Sequence, residues 1–169
     1  DNVESRGLGD VYKRQAGGNE KCKVAIDHGA DFAIDYKTES IRDRVKELTD
    51  NSGADVVYDA VGGDAFDQAI RAVNWEARML IIGFAAGRIQ QVPANLILVK
   101  NISVVGVVYG AQTERDPSYG ASFVQEAADL FRQGRVKPHI GKTFPLSEAA
   151  EAMDALLSRS YAGKIILTT

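Results

Sequence analysis

The chain has 169 residues, 45% apolar and 25% charged, the proportions of about one folded domain and not of a disordered chain. Its 20 Lys and Arg against 23 Asp and Glu leave a net charge of −3 and no basic stripe, which excludes the cationic footprint of a general nucleic-acid binder. One cysteine, Cys22, excludes an intrachain disulfide, and no apolar run approaches the roughly 20 residues of a membrane span, so a cytoplasmic α/β chain punctuated by glycine is expected.

No element is legible in the first fifteen residues, and Ser5-Arg-Gly-Leu-Gly-Asp-Val-Tyr-Lys-Arg-Gln15 resembles the translation of a transposon-type sequencing-library adapter. The other reading is a polar tail. On the adapter reading residues 1–15 are an unstructured artefact, Gly7-Leu-Gly9 belongs to no nucleotide-binding fingerprint, and the natural chain starts near Ala16 as a fragment.

From Ala16 helix and strand alternate. Glu20–His28 reads as a helix stopped by Gly29, and Phe32–Asp35 as a short strand. Ile41, Val45 and Leu48 give the stripe of an amphipathic helix, broken at Asn51-Ser52-Gly53. Ala54–Ala60 is a β-rich run ending at Gly62-Gly63, where Asp64 can N-cap a helix with Phe66, Ala69, Ile70 and Val73 on one face. Met79–Ile82, ending at Gly83, predicts a strand buried on both faces. A short helix over Ala94–Val99 follows Pro93, then a strand over Ser103–Val108. A long helix then runs to Gln133 with Phe123, Ala127, Leu130 and Phe131 inward. This order predicts an open parallel sheet with helices on both faces. The character changes at Arg135–Pro138. Beyond it lie a polar segment, His139–Phe144, a Ser147-capped helix with Ala150, Met153, Leu156 and Leu157 inward, and a strand over Lys164–Thr168.

Open parallel sheets bind ligands beyond the carboxyl ends of their strands, and Gly62-Gly63, Gly83 and Gly106 all fall at such ends. Any one of them is explained by a turn, but three in succession point to a shared crevice. In Ala16-Gly-Gly-Asn-Glu-Lys21 the glycines open onto a helix N-terminus, a ready anion site. No strand-end carboxylate stands there for a free ribose hydroxyl, Lys21 can reach a phosphate, and Tyr36 can flank it. The plainer reading is a solvated lysine, a turn pair and a tyrosine covering the sheet edge. Other constellations are weak. His28 and His139 lack metal-ligand spacing, Cys22 reads as a packed thiol, and Ser52, Ser103 and Ser118 lack a G-x-S-x-G elbow. Asp55 and Asp59 flank a buried strand, where one can hydrogen-bond backbone at its end; Lys137 and Lys142 read as solvated.

Gly17…Lys21…Tyr36, Ala54-Asp-Val-Val-Tyr-Asp-Ala-Val-Gly-Gly63, Leu80-Ile-Ile-Gly-Phe-Ala-Ala-Gly87, Gly106-Val-Val-Tyr-Gly110 and Lys137-Pro-His…Phe144-Pro-Leu…Gly163-Lys-Ile-Ile-Leu167 occur in order. Together they resemble the C-terminal half of a medium-chain dehydrogenase/reductase, nearest the zinc-independent NADPH:quinone oxidoreductases related to zeta-crystallin. The resemblance implies an α/β fold: an incomplete Rossmann doubly wound parallel sheet lacking its first strand, its first helix and the glycine-rich diphosphate turn. It implies a partial NADPH-binding domain over 16–136 and, over 137–169, the C-terminal segment of a GroES-like catalytic domain. By it, Gly17, Lys21 and Tyr36 hold the adenosine 2′-phosphate of NADPH and Gly62 and Gly63 line the crevice. Ile82, Gly83, Phe84, Val105, Gly106 and Val107 run along the nicotinamide half. It assigns no catalytic residue and no metal ligand. The implied activity is hydride transfer from NADPH to a quinone or related α,β-unsaturated carbonyl, in a homodimeric or homotetrameric parent whose fragment is inactive by itself. The alternatives are a zinc-free enoyl or alkenal reductase and a non-catalytic NADPH-binding protein, crystallin-like or regulatory.

Overall fold

The computed structural model describes residues 19–158 and 160–169, so the adapter-like run and Gly17 lie outside the described residues. The chain forms two compact units, one reaching to Val108 and the other running from Tyr109 to Thr169. The first unit contains α1 (Asn19–Asp27), α2 (Ile41–Leu48), β1 (Ala54–Asp59), α3 (Gly63–Ala69), β2 (Val73–Ile81), α4 (Ala94–Lys100) and β3 (Ser103–Gly106). Its three strands form one sheet in the order β1-β2-β3, parallel throughout. This is the expected α/β class.

One sheet face supplies the core. Val57 and Met79 pack with Phe66 and Ala69 of α3 and its C-cap Ile70, with Ile102, Leu96, Ile97 and Val104 around them. Phe66, Ile70 and Met79 are fully buried. The opposite face carries Val56 and Tyr58, which are exposed, and Leu80, which is half-buried. The strand predicted to be buried on both faces is therefore covered on one among the described residues. It also starts earlier, at Val73: Ala54 pairs with Val73 but Val56 pairs with Arg78, so the intervening residues bulge out and Glu76 takes a φ of +59°.

Phe32–Asp35 has no ladder partner among the described residues and runs as extended chain. Its Ile34 is buried in a second cluster with Ile41, Val45 and Ala72. Packing of that side chain, and not strand pairing, holds the segment. Ser40 caps α2, its Oγ accepting from the Asp43 amide at 3.3 Å. At α3 the cap is Gly62, with φ +72° and ψ −156°, and Asp64 sits one step inside the helix.

The second unit holds α5 (Tyr109–Arg115), α6 (Pro117–Arg132), β4 (Ile140–Pro145), a 3₁₀ turn (Leu146–Glu148), α7 (Ala149–Leu157) and β5 (Lys164–Thr168). The long helix expected before Gln133 is two helices. Pro117 cannot donate a helical hydrogen bond and keeps Asp116 out of helical geometry, so α6 restarts at the proline. Asp116 then caps it, Oδ1 accepting from the Ser118 and Tyr119 amides at 3.0 and 3.2 Å. Of the residues expected inward on this helix, Phe123 and Phe131 are both exposed, Phe123 meeting the Tyr109 ring at 5.0 Å. β4 and β5 pair in parallel. Along α7 the alanines at 149, 152 and 155 are the covered face and Met153, Leu156 and Leu157 are exposed, the reverse of the expected orientation. Ser147 lies in the 3₁₀ turn and caps nothing.

Two outcomes are expected. Phe66→Ala should lower the unfolding free energy by about 3–5 kcal/mol in urea titration, whereas Leu157→Ala should change it by no more than about 0.5 kcal/mol. Hydrogen bonds from the Ser118 hydroxyl and the Tyr119 amide hold the Asp116 carboxyl below its ordinary 3.8. A carboxyl depressed by folding stabilises above its unfolded value and stops doing so as pH falls through the lowered one. Circular dichroism of the second unit's helices should therefore be flat above pH about 4 and fall in more acidic solution, and Asp116→Asn should flatten that acid limb.

Candidate functional site

Parallel register brings three strand ends level. Asp59 of β1 pairs with Ile81 of β2, and Ile81 pairs with Gly106 of β3. Backbone bonding continues past the strands. The Ile82 and Gly83 amides donate to Asp59 O at 2.8 and 3.4 Å, and Ala85 N donates to Ala60 O at 3.2 Å. Ala86 N donates to Val61 O at 2.9 Å and Val107 N to Ile81 O at 2.9 Å. The turn after β1 and the loop after β2 are thus zipped together.

Asp59 organises the turn. It is buried, and its Oδ1 accepts from the Val61 and Gly62 amides at 2.9 Å each, a side chain bonded to its own backbone two and three residues on. Gly62 then adopts a conformation open to glycine alone. A Cβ on Gly62 would stand 2.6 Å from Gln90 Oε1, and one on Gly63 3.2 Å from the Ala86 Cβ. Both glycines are buried against the β2–α4 loop. A Cβ on Gly106 would meet nothing within 4 Å, and one on Gly83 would meet only Ala60 backbone. Phe84 (43% exposed), Val105 (42%) and Val107 (39%) present apolar surface beside these open positions. Ile82 and Gly83 are half-buried.

Eight of the predicted residues therefore meet at one sheet edge: Gly62, Gly63, Ile82, Gly83, Phe84, Val105, Gly106 and Val107. Lys21 lies in the first turn of α1, half-buried, and Tyr36 follows the extended segment at Asp35. Burial, then the carboxylates of Asp35 and Glu39, push the Cys22 thiol, next to Lys21, up. The turn at Tyr36 is built by Asp35: its Oδ1 accepts from Lys37 N at 3.0 Å, and its own amide donates to Glu39 Oε2 at 2.9 Å. Glu39 also faces Arg44 at 3.5 Å, which offsets its charge. Among the described residues no group of three His, Cys, Asp or Glu comes together that could hold a metal ion, and no helix is long and apolar enough to cross a membrane.

Sequence reasoning half-saw Asp59 and missed two residues of the β2–α4 loop: Gln90, buried against Gly62, and Arg88, which pairs with Asp64 and Asp67 of α3. Asp59 carried a signal, a carboxylate just before a glycine pair. A Gln and an Arg in a polar loop carry none, because only the folded loop shows which of them turns inward.

Strand ends brought level and opened by glycine define an α/β domain of the kind that takes its ligand beyond the carboxyl ends of the strands. The chain belongs to the zinc-binding dehydrogenase family, which it matches over residues 28–167. It is 41% identical over 151 residues to the quinone oxidoreductase-like protein 2 homolog of Nematostella vectensis, covering 89% of this chain and 41% of that one. The quinone oxidoreductase of Pseudomonas syringae pv. Tomato DC3000 aligns with a TM-score of 0.79 at 28% identity, over 91% of this chain and 47% of its own. CurA of Vibrio vulnificus, solved in complex with NADPH, aligns with a TM-score of 0.69 at 27% identity, over 91% and 48%. The chain thus spans less than half the length of each of these relatives. The resemblance to quinone oxidoreductases read from the motifs holds.

Removing the Asp59 carboxylate should loosen the turn directly. Asp59→Ala leaves the Val61 and Gly62 amides without their acceptor, so it should cost about 1–3 kcal/mol and speed hydrogen exchange at those two amides by more than it does at the core amide of Met79.

Proposed function

We propose that the whole protein is an oxidoreductase that uses NADPH to reduce a quinone or a related α,β-unsaturated carbonyl. The observation that carries this reading is the level row of strand ends, open at Gly106 and lined by Phe84, Val105 and Val107, in a chain of this family. A flat apolar ring laid on that edge would cover exposed carbon without burying a charge, so these residues fit the nicotinamide half of the cofactor. Ile82 and Gly83 would lie along the same half, with Gly62 and Gly63 behind it. Gly17, Lys21 and Tyr36 are assigned to the adenosine 2′-phosphate. A lysine in the first turn of α1 adds its charge to the positive end of the helix.

The bound nicotinamide supplies the hydride. What this chain's residues do is positional: hold the cofactor's two ends, fix which ring face is open, and exclude water from it. No side chain here is assigned a proton-transfer role. Residues 137–169 are assigned to the catalytic domain of the whole protein, and the exposed Met153, Leu156 and Leu157 of α7 support a packing partner beyond this chain. By itself this chain is expected to turn over no quinone.

The test is steady-state turnover by the whole protein with NADPH or NADH against a benzoquinone and a 2-enal. Quinone reduction with NADPH preferred supports the reading. Turnover of the enal alone makes it an enoyl or alkenal reductase, and NADPH binding with neither turnover makes it a non-catalytic binder. Lys21→Glu should lower the NADPH/NADH ratio of kcat/KM by about 10- to 100-fold, the scale of a lost charge-assisted phosphate contact. An unchanged ratio overturns the 2′-phosphate assignment.

A further inference from the structure

The connection from β2 to α4 runs from Ile82 to Pro93, well beyond the usual 4–6 residues or so. A connection of this length stays ordered only where something ties it down. Its side chains from Phe84 to Ile89 are exposed, and Gln90 is its one buried residue. The Gln90 side chain is set against Gly62, where a Cβ would come within 2.6 Å of its Oε1, and that oxygen has no hydrogen-bond partner. A buried amide oxygen is normally bonded, so Gln90 holds its place by shape, in a seat that exists because residue 62 has no side chain. Two residues earlier, Arg88 Nη2 reaches Asp64 Oδ1 at 2.8 Å and Asp67 Oδ2 at 2.6 Å, both on α3. Between these attachments and the strand end, the amides of Ala85 and Ala86 bond to Ala60 and Val61.

We infer that Arg88 and Gln90 form a two-point latch that seats the β2–α4 loop on the β1–α3 turn and thereby sets the position of Phe84 at the cofactor edge. The latch rests on the NADPH reading above for its consequence, though not for its geometry. Both are positioning residues: Arg88 straps the loop to α3 across two carboxylates, and Gln90 fills the hollow at Gly62. Phe84 stands two residues from Ala86, and its Cδ1 lies 3.4 Å from the same hollow, so a loop lifted from its seat carries the ring with it. Asp59 holds the Gly62 amide through Oδ1 and the Ile82 and Gly83 amides through its carbonyl, so the floor of the seat and the start of the loop meet at one residue.

The experiment uses the whole protein with Arg88→Ala, Arg88→Lys, Gln90→Ala and Gln90→Met. Hydrogen exchange at Ala85 and Ala86 and the kinetic constants for NADPH are measured on each. The alanine variants should speed exchange at both amides and raise KM for NADPH about tenfold, with kcat changing by no more than about twofold. Gln90→Met, which keeps the volume without the amide, should restore both readouts, and Arg88→Lys, which reaches one carboxylate at a time, should fall between. A role confined to stability would move the melting temperature without splitting KM from kcat. Exchange unchanged in the alanine variants overturns the latch, as does faster exchange with KM unchanged. If the wild-type protein binds no NADPH, the functional reading fails by itself; faster exchange in the variants would still uphold the seat and unchanged exchange would overturn it.

Discussion

At the end of β1 a buried carboxylate does what a strand cannot do for itself. Asp59 gives its carbonyl to the Ile82 and Gly83 amides and one side-chain oxygen to the Val61 and Gly62 amides. The chain can then leave the ladder without leaving four partly or fully buried donors unpaired. Buried backbone groups left without partners cost about as much as a lost hydrogen bond each, so this one residue decides where β1 stops and where α3 starts. The glycine pair, the zipped loop and the placement of Phe84 all follow from that stop.

The sheet is a balance of a well-covered face and an open one. Phe66, Ile70 and Met79 give the first unit a dry interior on the α3 and α4 side. Val56 and Tyr58 on the other side are exposed, and the outer edges of β1 and β3 have no strand partner among the described residues of that unit. The strand ends lie at the junction of these regimes, with a packed core below and, among the described residues, open space around Gly106. Such an edge can hold a flat ligand in a fixed orientation with little ordering left to do on binding.

The second unit is organised differently. α7 covers Ala149, Ala152 and Ala155 and leaves its larger side chains, Met153, Leu156 and Leu157, exposed. α6 begins where Pro117 forces it to and is held there by Asp116. Local chemistry placed that helix, and tertiary contact oriented the other.

The residues alone were enough to determine the α/β class, the parallel sheet and the gathering of glycines at strand ends. Each of these follows from short-range rules: apolar periodicity, β-branched runs, and the turns that glycine permits. The Asp-Pro-Ser start of α6 is a signal of the same local kind. Three things were decided by tertiary structure. Phe32–Asp35 has strand composition, yet a strand exists only with a partner, and its Ile34 found a helix instead. α7 has two apolar stripes, and the fold covers the alanine one. Gln90 turns inward because Gly62, 28 positions earlier, leaves a hollow of its size. No local rule records a hollow, since it exists only once two distant turns are brought side by side.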